Sequence, residues 1–328
     1  MDKKKYLVTG GTGFIGNALV KRLVSDGYDV RVLDNDIRGA KERLDDIKDK
    51  IEFVKADIRD LDQVSAAVKG VDGVFHLAYI NGTEYFYKMP ELVLDIGVKG
   101  MINVIDSCKE NDVKELILAS SSEVYQTPPY VPTDEDVPLS VPDPLNPRYS
   151  YGGGKIISEL MTINYGRKYF DKVLIFRPHN VYGPDMGWEH VVPQFILKMK
   201  KIVEDKDSEK IEFPVQGTGE ETRAFVYIDD FIDGLMIMLD KGKHLNIYNI
   251  GTMEEIKIKQ LAEEVGEYFN KKLEIKPGKL QKGGTNRRCP DINKLMSLGY
   301  EPKISLKKGI SMTADWYVKN AHLEKKIN

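Results

Sequence analysis

The feature that most narrows what this chain can fold into is a glycine-rich turn near its start. Gly10-Gly11-Thr12-Gly13-Phe14-Ile15-Gly16 separates an apolar run, Tyr6–Thr9, from a helical pattern that extends over about Phe14–Ser25. Glycines at 10, 13 and 16 strip side chains from a strand-to-helix turn, so backbone N–H groups at the helix N-terminus can approach a pyrophosphate. A strand before and a helix after supply the context that a dinucleotide site requires. Gly10, Gly13, Phe14, Ile15 and Gly16 are therefore placed against a cofactor.

The rhythm set by this turn continues. Strand patterns at Asp29–Leu33, Ile51–Lys55, Gly73–Ala78, Leu116–Ser120 and Val173–Phe176 alternate with helical patterns at Asp60–Val68 and Leu92–Lys109. Strands separated by helices of this length imply parallel βαβ units and a doubly wound α/β sheet of the Rossmann type. Pro128 through Pro147 carries seven prolines and reads as a long loop. A helix follows from about Tyr151. Beyond Pro178 the elements are short and mixed, with helices expected near Val191–Val203, Glu255–Phe269 and Ile304–Val318 and a charged exposed run at Glu204–Lys210. The division expected is a cofactor domain over 1–178, with a return of about 223–251, and a smaller irregular α/β substrate lobe over 179–328.

The totals exclude several classes. Lys and Arg number 48 against 51 Asp and Glu, so there is no basic footprint for nucleic acid. The terminal runs Lys3–Lys5 and Lys325–Lys326 read as solvated ends. Two distant cysteines, Cys108 and Cys289, fit a reducing compartment, and no Cys or His spacing suggests a metal site. No apolar stretch approaches the length of a membrane span, and no signal peptide is expected, so a cytoplasmic address follows.

Asp34 ends the second strand, 18 residues beyond Gly16. A carboxylate there accepts hydrogen bonds from ribose hydroxyls and repels a 2′-phosphate, which favours NAD over NADP. Asp36 could serve instead, and Arg31 and Arg38 leave room for NADP. Tyr151 and Lys155 stand at i, i+4, on one face of a helix. A phenol is a poor base at neutral pH, but an adjacent ammonium and a nicotinium ring stabilise the phenolate. It can then take a hydroxyl proton while hydride leaves to NAD.

With these residues in order, the chain resembles the extended short-chain dehydrogenase/reductase family: sugar-nucleotide epimerases, dehydratases and decarboxylases. The matching pieces are the glycine turn, His76-Leu77-Ala78, Ser120-Ser121-Ser122-Glu123-Val124-Tyr125, the Tyr151/Lys155 pair, Arg177-Pro178-His179-Asn180-Val181-Tyr182-Gly183-Pro184, Thr222-Arg223-Ala224-Phe225-Val226-Tyr227 and Arg287-Arg288-Cys289-Pro290-Asp291. The resemblance spans essentially the whole chain. It implies that Ser121 polarises the sugar O4, that Tyr151 is the base and that Lys155 holds the nicotinamide ribose. Asp57, Ile58, Leu77, Ala78 and Pro178 join the cofactor site, although Asp57 could simply cap the helix that follows. Asn180, Val192, Arg223 and Arg288 face a nucleoside diphosphate sugar; Arg287 could replace Arg288. A homodimer is implied as well. His76 and Cys108 read as packing residues, and Tyr85, Phe86 and Tyr87 as either pocket or core.

Two departures from relatives stand out: the run Gly152-Gly153-Gly154 between Tyr151 and Lys155, and Gly97 where relatives often place asparagine. Each helical glycine costs about 1 kcal/mol, so the run should loosen the first turn or leave room for something bulky. The reaction turns on Glu123. Every branch oxidises C4. A 4-epimerase needs no further carboxylate, whereas a 4,6-dehydratase needs a C5 base and help for the departing 6-hydroxyl. Ser121, Ser122 and Glu123 fit a dehydratase with Glu123 as C5 base, the preferred expectation. Decarboxylases also resemble this segment and show a Pro-Arg before the tyrosine, as in Pro147-Arg148. A 4-epimerase, a uronic acid decarboxylase, a non-catalytic NAD-binding sensor and an NADP-dependent carbonyl reductase are the alternatives.

Overall fold

The computed structural model describes residues 3–205, 210–279 and 285–324. Lys325–Lys326, and 206–209 of the charged run, lie outside the described residues. The main sheet has seven strands: β1 (Lys5–Thr9), β2 (Asp29–Asp34), β3 (Ile51–Lys55), β4 (Gly73–His76), β5 (Glu115–Ala119), β6 (Lys172–Pro178) and β7 (Asn246–Ile250). Their order is β7-β6-β5-β4-β1-β2-β3 and every pairing is parallel. The order reverses between β1 and β4, the point at which doubly wound sheets place their ligands.

Alternation along the strands divides two cores. Tyr6 and Val8 join the larger one, which continues into the lobe, while Leu7 joins Val74, Leu116 and Val173 on the opposite face. Both faces are apolar, as a parallel sheet covered on both sides demands. The helices that bear on the site are α1 (Phe14–Ser25), α2 (Gly100–Glu110) and α3 (Tyr149–Tyr169).

Three expectations are corrected. The continuous helix expected over Leu92–Lys109 begins at Pro90 and widens into a π-turn over Asp95–Lys99 before α2. Such a turn inserts a residue and commonly marks a functional site. The expected helix Glu255–Phe269 begins only at Ile258; Glu255–Lys257 is a strand, held because it pairs with Thr222–Ala224. Asp57 does not cap the following helix. Asp60 does so, accepting from the Gln63 amide.

The lobe carries helices Val191–Asp205 and Leu306–Asn320 and a small sheet in the order Glu255–Lys257, Thr222–Ala224, Arg287–Arg288. In that sheet Arg288 pairs in register with Arg223, which brings two distant motifs together. No helix among the described residues is long and apolar enough to cross a membrane, and no group of three metal-ligating side chains gathers there.

Candidate active site

The glycine turn is built for close approach. Gly10 has φ +73°, and a Cβ there would lie 2.8 Å from the Ala78 amide nitrogen; one on Gly16 would lie 2.1 Å from the Gly10 carbonyl. Leu77 and Ala78 both donate their amides to Thr9 Oγ1, fixing the chain just past β4 against the turn. Asp34 accepts from the Thr12 and Asp36 amides at 3.0 and 2.9 Å, so its carboxylate is oriented at the carboxyl end of β2. Asp36 instead takes the Thr12 hydroxyl. The two arginines that left room for a 2′-phosphate are engaged elsewhere: Arg31 with Glu52 and Arg38 with Glu189. Asp57 is paired with Arg59, whose guanidinium holds its carboxyl down at about 2. Ile58 is buried beside it. These residues fit an NAD: a side-chain-free turn at a helix N-terminus followed by an oriented carboxylate at the end of β2.

The reactive groups meet at the carboxyl end of β5. Ser121 follows the strand and accepts from the Glu123 amide at 3.1 Å, and its side chain is near enough to the Tyr151 phenol to influence its titration. Burial pushes that phenol up to about 12, and the neighbouring Ser121 side chain pulls the other way. Phe86 stacks on the Tyr151 ring at 4.9 Å, which places it in the site wall. Lys155 is buried one turn along α3, with Nζ donating to the Ala119 carbonyl at 2.7 Å. Burial draws its ammonium down to about 7, opposed by Glu159. His76 is buried against Thr9 and drawn down to about 3 by burial and by Lys155, a neutral packing residue.

The next two residues along the chain are Ser122, which is buried, and Glu123, which is half-buried. Arg288 donates to Glu123 at 2.7 Å and Arg148 stands 3.9 Å away. Burial would raise the Glu123 carboxyl, but Arg288, Arg148 and Arg223 together hold it below its ordinary value. Arg223 is drawn down to about 10 by burial and by its neighbour Arg288, so it remains charged at neutral pH. Its NH groups rest on the Thr222 and Thr285 carbonyls, with no carboxylate among these partners. The geometry separates the ambiguous arginine pair: Arg287 is exposed and bound to Glu255, whereas Arg288 faces the site. Asn180 sits at φ +41° and donates to the Ala224 carbonyl, tying Pro178 and the end of β6 to the Arg223 strand. Val192 is buried in the first turn of the Val191–Asp205 helix, its side chain in the lobe's core.

Sequence reasoning missed the layer beneath these groups. Arg177 and Glu159 form a buried bidentate pair at 2.9 and 2.7 Å, and the pair also takes the Ser120 and Tyr125 hydroxyls. An acid mid-helix and an arginine at a strand end leave no periodic trace in a sequence. Tyr79 was missed as well, although its signal lay in the unexplained glycines.

A doubly wound cofactor fold with a tyrosine, a lysine and a serine at the carboxyl end of its sheet, roofed by arginines, defines a class of NAD-dependent enzymes that act on sugar nucleotides. The profile described as the NAD dependent epimerase/dehydratase family matches residues 6–251, and the chain belongs to that family. Among its relatives, a putative UDP-glucose 4-epimerase of Methanocaldococcus jannaschii is 35% identical, over 96% of this chain and 98% of the relative. A UDP-glucuronic acid decarboxylase of Xenopus tropicalis is 31% identical, over 97% of this chain and 73% of the relative. The solved structure of a dTDP-glucose 4,6-dehydratase from Streptomyces venezuelae with NAD bound matches with a TM-score of 0.85 and 26% identity, covering 99% of this chain and all of that one.

Proposed function

We propose that the chain removes carbon dioxide from a nucleoside diphosphate uronic acid after oxidising C4 of its sugar. The observation that carries the choice is the anionic Glu123 held by Arg288 beside Arg148. NAD, when bound, takes the C4 hydride and later returns it. Tyr151 removes the C4 hydroxyl proton, Ser121 hydrogen-bonds that oxygen, and Lys155 favours the phenolate by its charge and binds the ribose. Arg223 and Arg288 meet the diphosphate, where guanidinium forks suit phosphate geometry. Residues 1–178 with about 223–251 form the cofactor part, and the remainder of 179–328 forms the substrate lobe.

Once C4 is a ketone, a C6 carboxylate is a β-keto acid. The C5–C6 pair flows into the C4 oxygen, carbon dioxide departs and a proton adds at C5. This route needs cations near the carboxylate and no acid for a departing hydroxide. Dehydration needs both a base at C5 and a proton donor for the 6-hydroxyl. Glu123 fits the base, but Ser122 offers only a hydroxyl as the donor. Dehydration is the second reading, supported by the Ser121-Ser122-Glu123 order and the structural likeness to a dehydratase. A plain 4-epimerase leaves Glu123 without a task. Exposed Ile102 on α2 and Ile157 and Leu160 on α3 are suited to a homodimer face.

The test is product mass after incubation with UDP-glucuronate, dTDP-glucose and UDP-glucose. Loss of carbon dioxide from the uronate is expected, and Tyr151→Phe should abolish it. Loss of water from dTDP-glucose with an inert uronate would replace this reading by the second. Isomerisation of UDP-glucose without change of mass would establish the epimerase. Inertness to all three with NAD binding intact would favour a sensor.

A further inference from the structure

Tyr79 follows the Leu77-Ala78 corner and points between the π-turn and α3. A Cβ on Gly97 would lie 2.0 Å from its hydroxyl oxygen, and one on Gly154 would lie 2.2 Å from the same atom. The two glycines that depart from relatives thus make one slot, and one side chain fills it. The hydroxyl is buried there without a hydrogen-bond partner among the described residues. Its ring is what touches the reactive pair. Lys155 Nζ sits 3.9 Å from the ring centroid, and the Tyr151 ring meets it edge-on at 5.1 Å and 84°. The Tyr151 ring is therefore clamped between Tyr79 and Phe86.

We propose that Tyr79 is a positioning residue, whose ring face carries the Lys155 ammonium and whose edge-on contact aims Tyr151, made possible by the Gly97–Gly154 slot. The proposal rests on the reading that Tyr151 and Lys155 are the reacting pair. An aromatic face stabilises a desolvated cation, so the ring favours the charged form of a lysine that burial disfavours. The other groups facing the ammonium are Glu159 on the same helix, the neutral His76 on β4, the Tyr151 phenol and the Ala119 carbonyl. All of these remain when Tyr79 is replaced. Without the ring face Lys155 loses its proton at lower pH.

The experiment compares Tyr79→Met, which fills the slot without a π face, with Tyr79→Phe. Tyr79→Met should lower kcat on the order of tenfold and move its alkaline limb about one unit toward acid. Tyr79→Phe should restore both. NMR titration of the labelled Lys155 amine should show the same displacement without reference to activity. Gly97→Ala must push the hydroxyl aside and should move the limb in the same direction, whereas Gly153→Ala, whose Cβ would meet only Val141 at 3.4 Å, should not. An unmoved limb and unmoved Lys155 titration in Tyr79→Met would overturn the proposal, as would Tyr79→Phe behaving like Tyr79→Met. Those outcomes leave Tyr151 as base untouched; an active Tyr151→Phe would instead remove the reading beneath both.

Discussion

Replacing Glu123 by glutamine keeps the shape of the side chain and removes one negative charge from a site that holds three guanidinium groups. Arg288 lies 2.7 Å away and Arg148 3.9 Å, with 13% and 15% of their side chains exposed against 22% for Glu123. A hydrogen bond to a charged group contributes about 1.5–3 kcal/mol. The amide retains part of it, so a loss of about 1–2 kcal/mol of stability is expected, and the protein should still fold. The kinetic effect is larger. For Glu123 as the C5 base of dehydration, the loss is on the order of 100- to 10,000-fold. C4 oxidation should survive, because Tyr151, Ser121 and Lys155 are untouched. Stopped-flow absorbance should then show reduced nicotinamide accumulating while product mass shows almost no turnover. The folded carboxyl titrates below its ordinary value, so its contribution to stability is present at neutral pH and above. That contribution is lost as pH falls through the lowered value, in the acid range below the ordinary carboxyl titration. Wild-type turnover in Glu123→Gln would refute Glu123 as a base in the step after oxidation.

Three further outcomes are expected. Asp34→Ala should narrow the preference for NAD over NADP, and calorimetry showing tighter NADP binding by the wild-type protein would sink the ribose assignment. Arg223→Ala should weaken binding of the nucleoside diphosphate by about 2–3 kcal/mol with NAD affinity unchanged, because a charge-assisted fork is lost; equal product affinity would make Arg223 structural. Glu159→Gln should cost about 3–5 kcal/mol in chemical denaturation, since it strands Arg177 in a side-chain environment only 2% exposed. A loss under about 1 kcal/mol there would mean that the pair is not held as described.

What could be read from the sequence is what periodicity and local stereochemistry encode. The glycine turn, the βα alternation and the i, i+4 pair of Tyr151 and Lys155 are local patterns, and the structure brings their residues to one end of the sheet. Pairings between distant segments were not legible. Glu255 sits in a helix-favouring stretch, yet Arg287 and Thr222 take its carboxylate and its strand joins Thr222–Ala224. Nor could the sequence say that Arg287 pairs with Glu255 while Arg288 pairs with Glu123. The glycine run was read as looseness or room for a bulky group. Part of that room is filled by Tyr79, a side chain from the chain's own β4 corner, which no spacing rule connects to residue 154.

The buried layer under the site explains how such separate segments hold a common geometry. Glu159 lies on α3 one turn beyond Lys155, Ser120 directly precedes Ser121, and Arg177 ends β6. Their hydrogen bonds therefore lock α3, the Ser121–Glu123 corner and the sixth strand to one another. Tyr125 extends the lock, accepting from Arg177 and donating to Asn249 on β7, whose amide nitrogen reaches the Thr133 and Asp291 carbonyls. Asp291 follows the Arg288 segment closely, so the chain of bonds runs from α3 to the arginines of the lobe. A buried ion pair adds little net stability over an apolar filling of equal volume, because desolvation offsets the attraction. Its directional bonds do what apolar packing does poorly: they admit one arrangement of three backbone segments. In this molecule that arrangement sets the distance between Tyr151 and the Glu123–Arg288 pair.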